Sequence, residues 1–311
     1  MRARVAFAFL LAGCGLKLPF EDDTPDAAVV EPTADAAPRA DGPRSGSCPA
    51  APAGVSAEAA DVYEAINANR VAMGVPCATL VPALDVSSEK HCQYWTANRA
   101  MPACVADPHA EVASCGGFVA ARFGDREAAA GYGGFPAFEI MAFGSSVQGL
   151  VALEIWSDSV WHRTPLYSPW VRDLGFGQSP SCATMDFGVG ASTSADVVAT
   201  YPYDGQTGVA PDFDGSTELP TPDPDLAWPS GYPITLYLRG GNVSDPTLTV
   251  DGGSTPIDHV WITPATSGGL LDGAYVILPR LPLQAATRYR VHASGQNGAG
   301  AVTFDFTFTT R

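Results

Sequence analysis

Seven cysteines and five histidines are the side chains of this 311-residue chain best suited to chemistry. The cysteines stand at 14, 48, 77, 92, 104, 115 and 182. No two are spaced Cys-x-x-Cys, so a zinc knuckle or a thioredoxin-type pair lacks its usual signature. The histidines are His91, His109, His162, His259 and His292, and none belongs to a His-Glu-x-x-His. Gly-x-Ser-x-Gly, the phosphate loop and the dinucleotide-binding glycine fingerprint are missing too, which removes the commonest zinc-protease, serine-hydrolase, nucleotidase and dehydrogenase readings. What remains is an ordered string. Asn67-Ala68-Asn69-Arg70 comes first, then Asp107-Pro108-His109-Ala110-Glu111 and Arg126 to Tyr132. Phe138-Glu139-Ile140, Trp156-Ser157-Asp158-Ser159-Val160-Trp161-His162-Arg163 and Leu174-Gly175-Phe176-Gly177 follow. Neutral imidazoles beside a carboxylate can hold zinc with a position open for water, or tie loops to helices through buried hydrogen bonds.

The chain begins Met1-Arg2-Ala3-Arg4, then runs apolar from Val5 to Ala12. That run is far short of the roughly 20 residues that span a bilayer, and it has the shape of a secretory signal. It ends in Leu11-Ala12-Gly13-Cys14, which resembles the bacterial lipobox, so Cys14 is expected to become the lipidated first residue of an exported, tethered protein. Gly15 follows rather than aspartate, which favours the outer membrane or cell surface. Export changes how the other six cysteines read. Cys48, Cys77, Cys92, Cys104, Cys115 and Cys182 can make up to three disulfides, and spacing alone leaves 15 pairings open. Cys104 with Cys115 is the favoured pair, because it closes a short loop.

Apolar residues make up 46% of the chain and charged residues 16%, enough hydrophobic material for a packed core. Seventeen Lys and Arg stand against 33 Asp and Glu, a net charge of -16, and no segment offers the basic face that phosphate binding needs. Nucleic acid is thereby excluded as a partner. The only lysines are Lys17 and Lys90, so contact with a membrane is expected only through the lipid anchor.

The elements that must position the string are helical at first and then β. Residues 14–55 are rich in Pro, Ala, Asp and Glu and read as a disordered spacer. Ser56 can cap a helix carrying Val62, Ala65 and Ile66, and a second helix starts at Ser87 or Ser88. His91 on it reads as a helix-surface residue. Residues 101–123 read as a loop, Arg126 to Tyr132 as a short helix, and Val147 to Val160 as a longer one. The segments 174–177 and 184–188 read as short strands. Trp95, Trp156 and Trp161 read as core aromatics. From about residue 201 period-2 runs appear: Ile234, Leu236 and Leu238, then Phe304, Phe306 and Phe308. Such runs between Gly, Pro and Asn turns are the pattern of an antiparallel sandwich. Residues 202–232 read as a connection with one faint strand, and Asp212, Asp214, Asp223 and Asp225 there as solvated charge. Nothing beside His259 or His292 suggests a ligand. The fold class expected is α+β.

Taken in order and spacing, the string over roughly 56–190 resembles the CAP superfamily of cysteine-rich secretory proteins, antigen 5 and pathogenesis-related 1. The resemblance implies an α/β/α sandwich with a central cleft lined by two histidines and two acidic residues. His109 and His162 match the histidines, and Glu139 the glutamate of the family's Gly-Glu-Asn, here flanked by Phe138 and Ile140. The second acidic position is Ser159; Asp158 and Glu111 are its candidate substitutes. The cofactor implied is a divalent ion such as zinc, though the residues themselves require none. Tyr289, with Leu283, Thr287 and Val291, resembles the tyrosine-corner region of immunoglobulin-like domains.

The organisation expected is a signal peptide at 1–13, a spacer at 14–55, a CAP domain at 56–190 and an immunoglobulin-like β-sandwich at 201–311. The function expected is non-enzymatic binding of an envelope ligand or protein, through a cleft lined by His109, Glu139 and His162. A metal-assisted protease using the same cleft is the first alternative. Adhesion through the β-sandwich is the second.

Overall fold

A computed structural model describes residues 48–145, 147–189 and 197–311. Cys14, the signal peptide and the spacer up to residue 47 lie outside them. The first part holds α1 (Ala57–Ala72), β1 (Thr79–Leu80), α2 (Pro82–Asn98), α3 (Phe123–Ala129) and β2 (Phe135–Phe143). It continues with α4 (Gly149–Asp158), α5 (Arg163–Tyr167), β3 (Asp173–Ser179) and β4 (Cys182–Val189). Its sheet has the order β1-β3-β4-β2, parallel only between β1 and β3. Helices α2 and α3 pack on one face of it, and α1, α4 and α5 form the layer on the other. The class is therefore mixed helix and sheet, as expected.

Local chemistry explains the helix starts. Ser56 Oγ accepts from Ala59 N at 3.1 Å and caps α1. Proline opens α2, where its missing N–H costs nothing. Strands β3 and β4 alternate strictly. Leu174, Phe176, Met185 and Phe187 point into the apolar core with Trp156, while Gly175, Gly177, Thr184 and Asp186 face α2. Gly177 is where the helix comes closest: a Cβ there would stand 2.0 Å from Glu89 N.

Three disulfides staple this part. Cys104 joins Cys115, the pair favoured above; Cys92 ties α2 to β4 through Cys182; and Cys48 joins Cys77. The last pair corrects the spacer's boundary. Residues 48–55 are fastened to the folded part, with Ala51 and Val55 against the core and Pro49 O accepting from the Tyr63 hydroxyl at 3.1 Å.

The second part holds β5 (Ala199–Tyr201), β6 (Gln206–Val209), β7 (Asp212–Phe213), β8 (Ser230–Gly231), β9 (Ile234–Tyr237) and β10 (Asn242–Val250). It ends with β11 (His259–Ile262), β12 (Ala274–Pro279), β13 (Arg288–Asn297) and β14 (Gly300–Thr310). Two four-stranded sheets form, β10-β13-β14-β6 and β11-β12-β9-β5, with a small β7-β8 pair. Residues 202–232 thus hold more structure than one faint strand. Tyr289 turns a corner: its hydroxyl accepts from Gln284 N at 2.7 Å. One apolar core runs through both parts, from Trp156 and Phe187 to Leu236, Ile277 and Phe308. At the junction the Tyr167 and Tyr201 rings stack at 4.5 Å, and the buried Arg163 guanidinium lies over the Tyr201 and Tyr232 rings.

Candidate functional site

Between the sheet and the α2–α3 layer lies a buried polar centre. Strand β2 presents Glu139 directly opposite Asp186 of β4. Helix α3 adds Arg126 and Glu127, and α2 adds His91. The loop closed by Cys104–Cys115 and its continuation bring His109 and Glu111.

Glu139 is the hub. Its Oε1 meets His109 Nδ1 at 2.8 Å, and its Oε2 accepts from Arg126 Nη2 at 2.5 Å. Burial alone would raise this carboxyl. Arg126, with His91 and His109, outweighs burial and holds it well below the usual carboxylate range. Glu111 sits one step away. Its Oε1 meets His91 Nδ1 at 3.0 Å, its Oε2 accepts from Val119 N at 2.6 Å, and Arg126 Nε stands 3.8 Å off. His91 Nε2 lies 2.9 Å from Pro108 O and 3.7 Å from Glu139 Oε1. Arg126 also donates to His109 O at 3.2 Å, which pins the loop.

The other two carboxyls behave differently. Burial, reinforced by Asp186 and Glu139, pushes Glu127 up to about 10, and Arg126 offsets only part of this. Burial and the nearby Glu139 push Asp186 well up as well. Glu127 therefore carries its proton at neutral pH. Around the ionised Glu139 the centre sets one guanidinium and two imidazoles.

The remaining expected site residues have further partners. His162 makes contact with the start of the second part. Its Nδ1 lies 2.9 Å from Ser159 Oγ and 3.3 Å from Glu218 Oε1, on the side of the second part. Glu218 also accepts from Trp161 N at 2.7 Å, from Val160 N at 3.1 Å and from the Ser159 hydroxyl. Asp158 accepts from the Tyr232 hydroxyl at 2.9 Å and does not substitute for the missing acidic group. Glu111 stands within the centre and is bound to His91.

His91, read from the sequence as a surface residue, is fully buried. The signal that places it inside is its position seven residues after the buried Leu84 and adjacent to Cys92, on the covered side of α2. Arg126, Glu127, Asp186 and Glu218 also escaped assignment, since no local motif marks a buried charge.

The donor set does not fit a divalent ion. Arg126 occupies one oxygen of Glu139 and stands near Glu111, so a cation entering here meets a fixed positive charge. Among the described residues no group of three His, Cys, Asp or Glu is arranged to hold a metal. What the geometry can do is orient one imidazole. His109 is the member of the centre that reaches solvent, its side chain 13% exposed against 1% for Glu139. On the same loop and just beyond it, Val112 and Phe118 leave apolar surface in water.

No family model matches the chain, and no curated protein matches it. Among solved structures it is similar to an extracellular protein containing an SCP domain from Bacillus anthracis str. Ames, at 20% identity and a TM-score of 0.37. The match covers 43% of this chain and 40% of that one, so the chain spans less than half the length of the protein it resembles.

Proposed function

We propose that this protein is an exported, lipid-anchored module that binds a ligand or protein partner at the cell envelope and catalyses no reaction. In this reading residues 56–190 are a CAP-type domain, 201–311 an immunoglobulin-like arm, and Cys14 the anchor on the outer membrane or cell surface. The observation that carries it is the closure of the polar centre. Glu139, the carboxylate a hydrolase of this kind would use as base or metal ligand, is taken by Arg126 and His109, and His162 is engaged by Glu218. A carboxylate held ionised against a guanidinium is a poor proton acceptor near neutral pH. What the loop leaves exposed for a partner is the apolar surface of Val112 and Phe118. The Tyr289 corner and the two four-stranded sheets favour the immunoglobulin-like assignment.

The test uses the full exported protein. Zinc calorimetry and cleavage of a peptide mixture with added zinc are expected to show neither submicromolar affinity nor turnover. Retention on envelope vesicles stripped of the anchor's contribution by Cys14→Ser is expected to fall in Val112→Ser/Phe118→Ser. Zinc-dependent cleavage abolished by His109→Ala would replace this reading with the metal-assisted protease.

A further inference from the structure

We infer that the junction of the two parts holds a second binding site, separate from the His109 centre, for a small zwitterion of amino-acid size with an aliphatic side chain. A cavity of about 260 Å³ opens there between α4 and the end of the second part. At about 30 Å³ per water it holds roughly nine waters, room for one amino acid and little more.

Its two walls carry opposite charge. Glu154 and Asp158 lie four residues apart on α4, so they line one face of the helix. Arg311 lines the opposite wall. Its backbone N–H bonds Val209 O at 2.9 Å, which fixes it beside the end of β6. Glu154 is exposed and, among the described residues, bonds no other side chain; the same holds for the Arg311 guanidinium. Asp158 is held by the Tyr232 hydroxyl, and its charge is partly offset by Arg163 beneath the floor. Glu154 is therefore the stronger pole for an ammonium, and Arg311 the matching pole for a carboxylate. Between them Leu150 and Leu153 offer apolar surface from the helix and Val209 from the sheet. Convergent polar groups beside a few apolar side chains fix the orientation of a small molecule in such a site. Opposed unpaired charges on its two sides select a zwitterion over either ion alone.

Calorimetry on the full chain tests this with three probes: L-leucine, isoamylamine without the carboxylate, and 4-methylpentanoate without the ammonium. Leucine is expected to bind about tenfold or more tighter than either analogue. Glu154→Gln is expected to weaken leucine and leave 4-methylpentanoate unchanged, and Arg311→Gln to weaken leucine and leave isoamylamine unchanged. Both positions are exposed, so the fold is kept. Leucine giving no heat, the three probes binding alike, or both variants binding leucine as the parent does would each overturn the inference. None of those results bears on the His109 centre.

Discussion

Glu218 Oε1 stands 3.3 Å from His162 Nδ1, although 56 residues separate them and they belong to different parts of the chain. The carboxylate is fastened to the turn after α4 by two backbone N–H groups and the Ser159 hydroxyl. Beside it the Trp161 indole donates to Pro220 O at 2.6 Å. The same few residues that start α5 thus grip the segment leading into the second part. His162, the histidine expected in a cleft, is also an element of that joint.

Removing the Glu218 carboxylate should loosen the joint. Glu218→Ala strips partners from Val160 N and Trp161 N in a buried place, at a cost of about 3 kcal/mol. Glu218→Gln keeps an acceptor and loses the charge, and about half that cost is expected. Urea unfolding of the three proteins checks the order. Equal stability in all three would mean that the shared apolar core alone sets the joint.

Arg126 and Glu139 form the buried ion pair at the heart of the polar centre. Arg126→Met leaves an uncompensated carboxylate and should cost about 3–5 kcal/mol. Arg126→Met/Glu139→Leu removes both charges and should recover most of that loss, because the desolvation of the carboxylate goes with it. A double variant as unstable as the single one would show that the centre's other bonds, not the pair, hold this layer together.

The period-2 runs at 234–238 and 304–308 made the β part legible, since alternation reports directly which face is buried. The helix at 147–160 and the loop at 101–123 were equally readable, and Cys104 with Cys115 followed from loop length. Long-range pairing was not readable. Nothing local distinguishes Cys92–Cys182, which depends on α2 lying across β4. His109 and Glu139 were found as a pair only through a resemblance. The contact of His162 with Glu218 was not readable, because Glu218 comes from a stretch whose composition looked like linker. Asn67 and Arg70 stood out in the string, yet their work is structural. Asn67 exchanges two bonds with Ala78, and Arg70 donates to Pro76, Leu166, Ser168 and Val171 carbonyls.

Protonation of Glu127 gives the fold a pH dependence of defined sign. The folded state keeps this proton up to about pH 10, while the unfolded chain releases it near pH 4.3. Between those values the folded state holds one more proton, so this group's contribution to stability falls as pH rises. Glu139 acts oppositely and at the acid end: its depressed value adds stability above the ordinary carboxylate range, lost as pH drops through the folded value. Urea unfolding at pH 5.5 and 8.5 should therefore show the parent losing more stability than Glu127→Gln. Each pH unit widens the gap by no more than about 1.4 kcal/mol. Parallel profiles would mean that Glu127 ionises at its ordinary value.

Gly177 decides how closely α2 lies on the sheet, and through it where His91 sits. A Cβ at 177 would stand 2.0 Å from Glu89 N and 2.3 Å from Ser88 C, both backbone atoms of the helix, so no side-chain rotation can relieve the clash. The helix must lift, and it is held from lifting by Cys92–Cys182 and by Ser88 Oγ, which accepts from Asp186 N at 3.0 Å. Overpacking of this kind costs about 3 kcal/mol or more. His91 lies on the same stretch of α2, three residues after Ser88, so the shift should also lengthen its contact with Glu111. Gly116→Ala is the control: nothing lies within 4 Å of a Cβ there. Denaturant unfolding should find Gly177→Ala strongly destabilised and Gly116→Ala unchanged, and the imidazole signals of His91 should move in the first variant alone. If Gly177→Ala unfolds at the parent's midpoint, α2 has freedom to ride higher on the sheet, and the tight approach is no requirement for the polar centre.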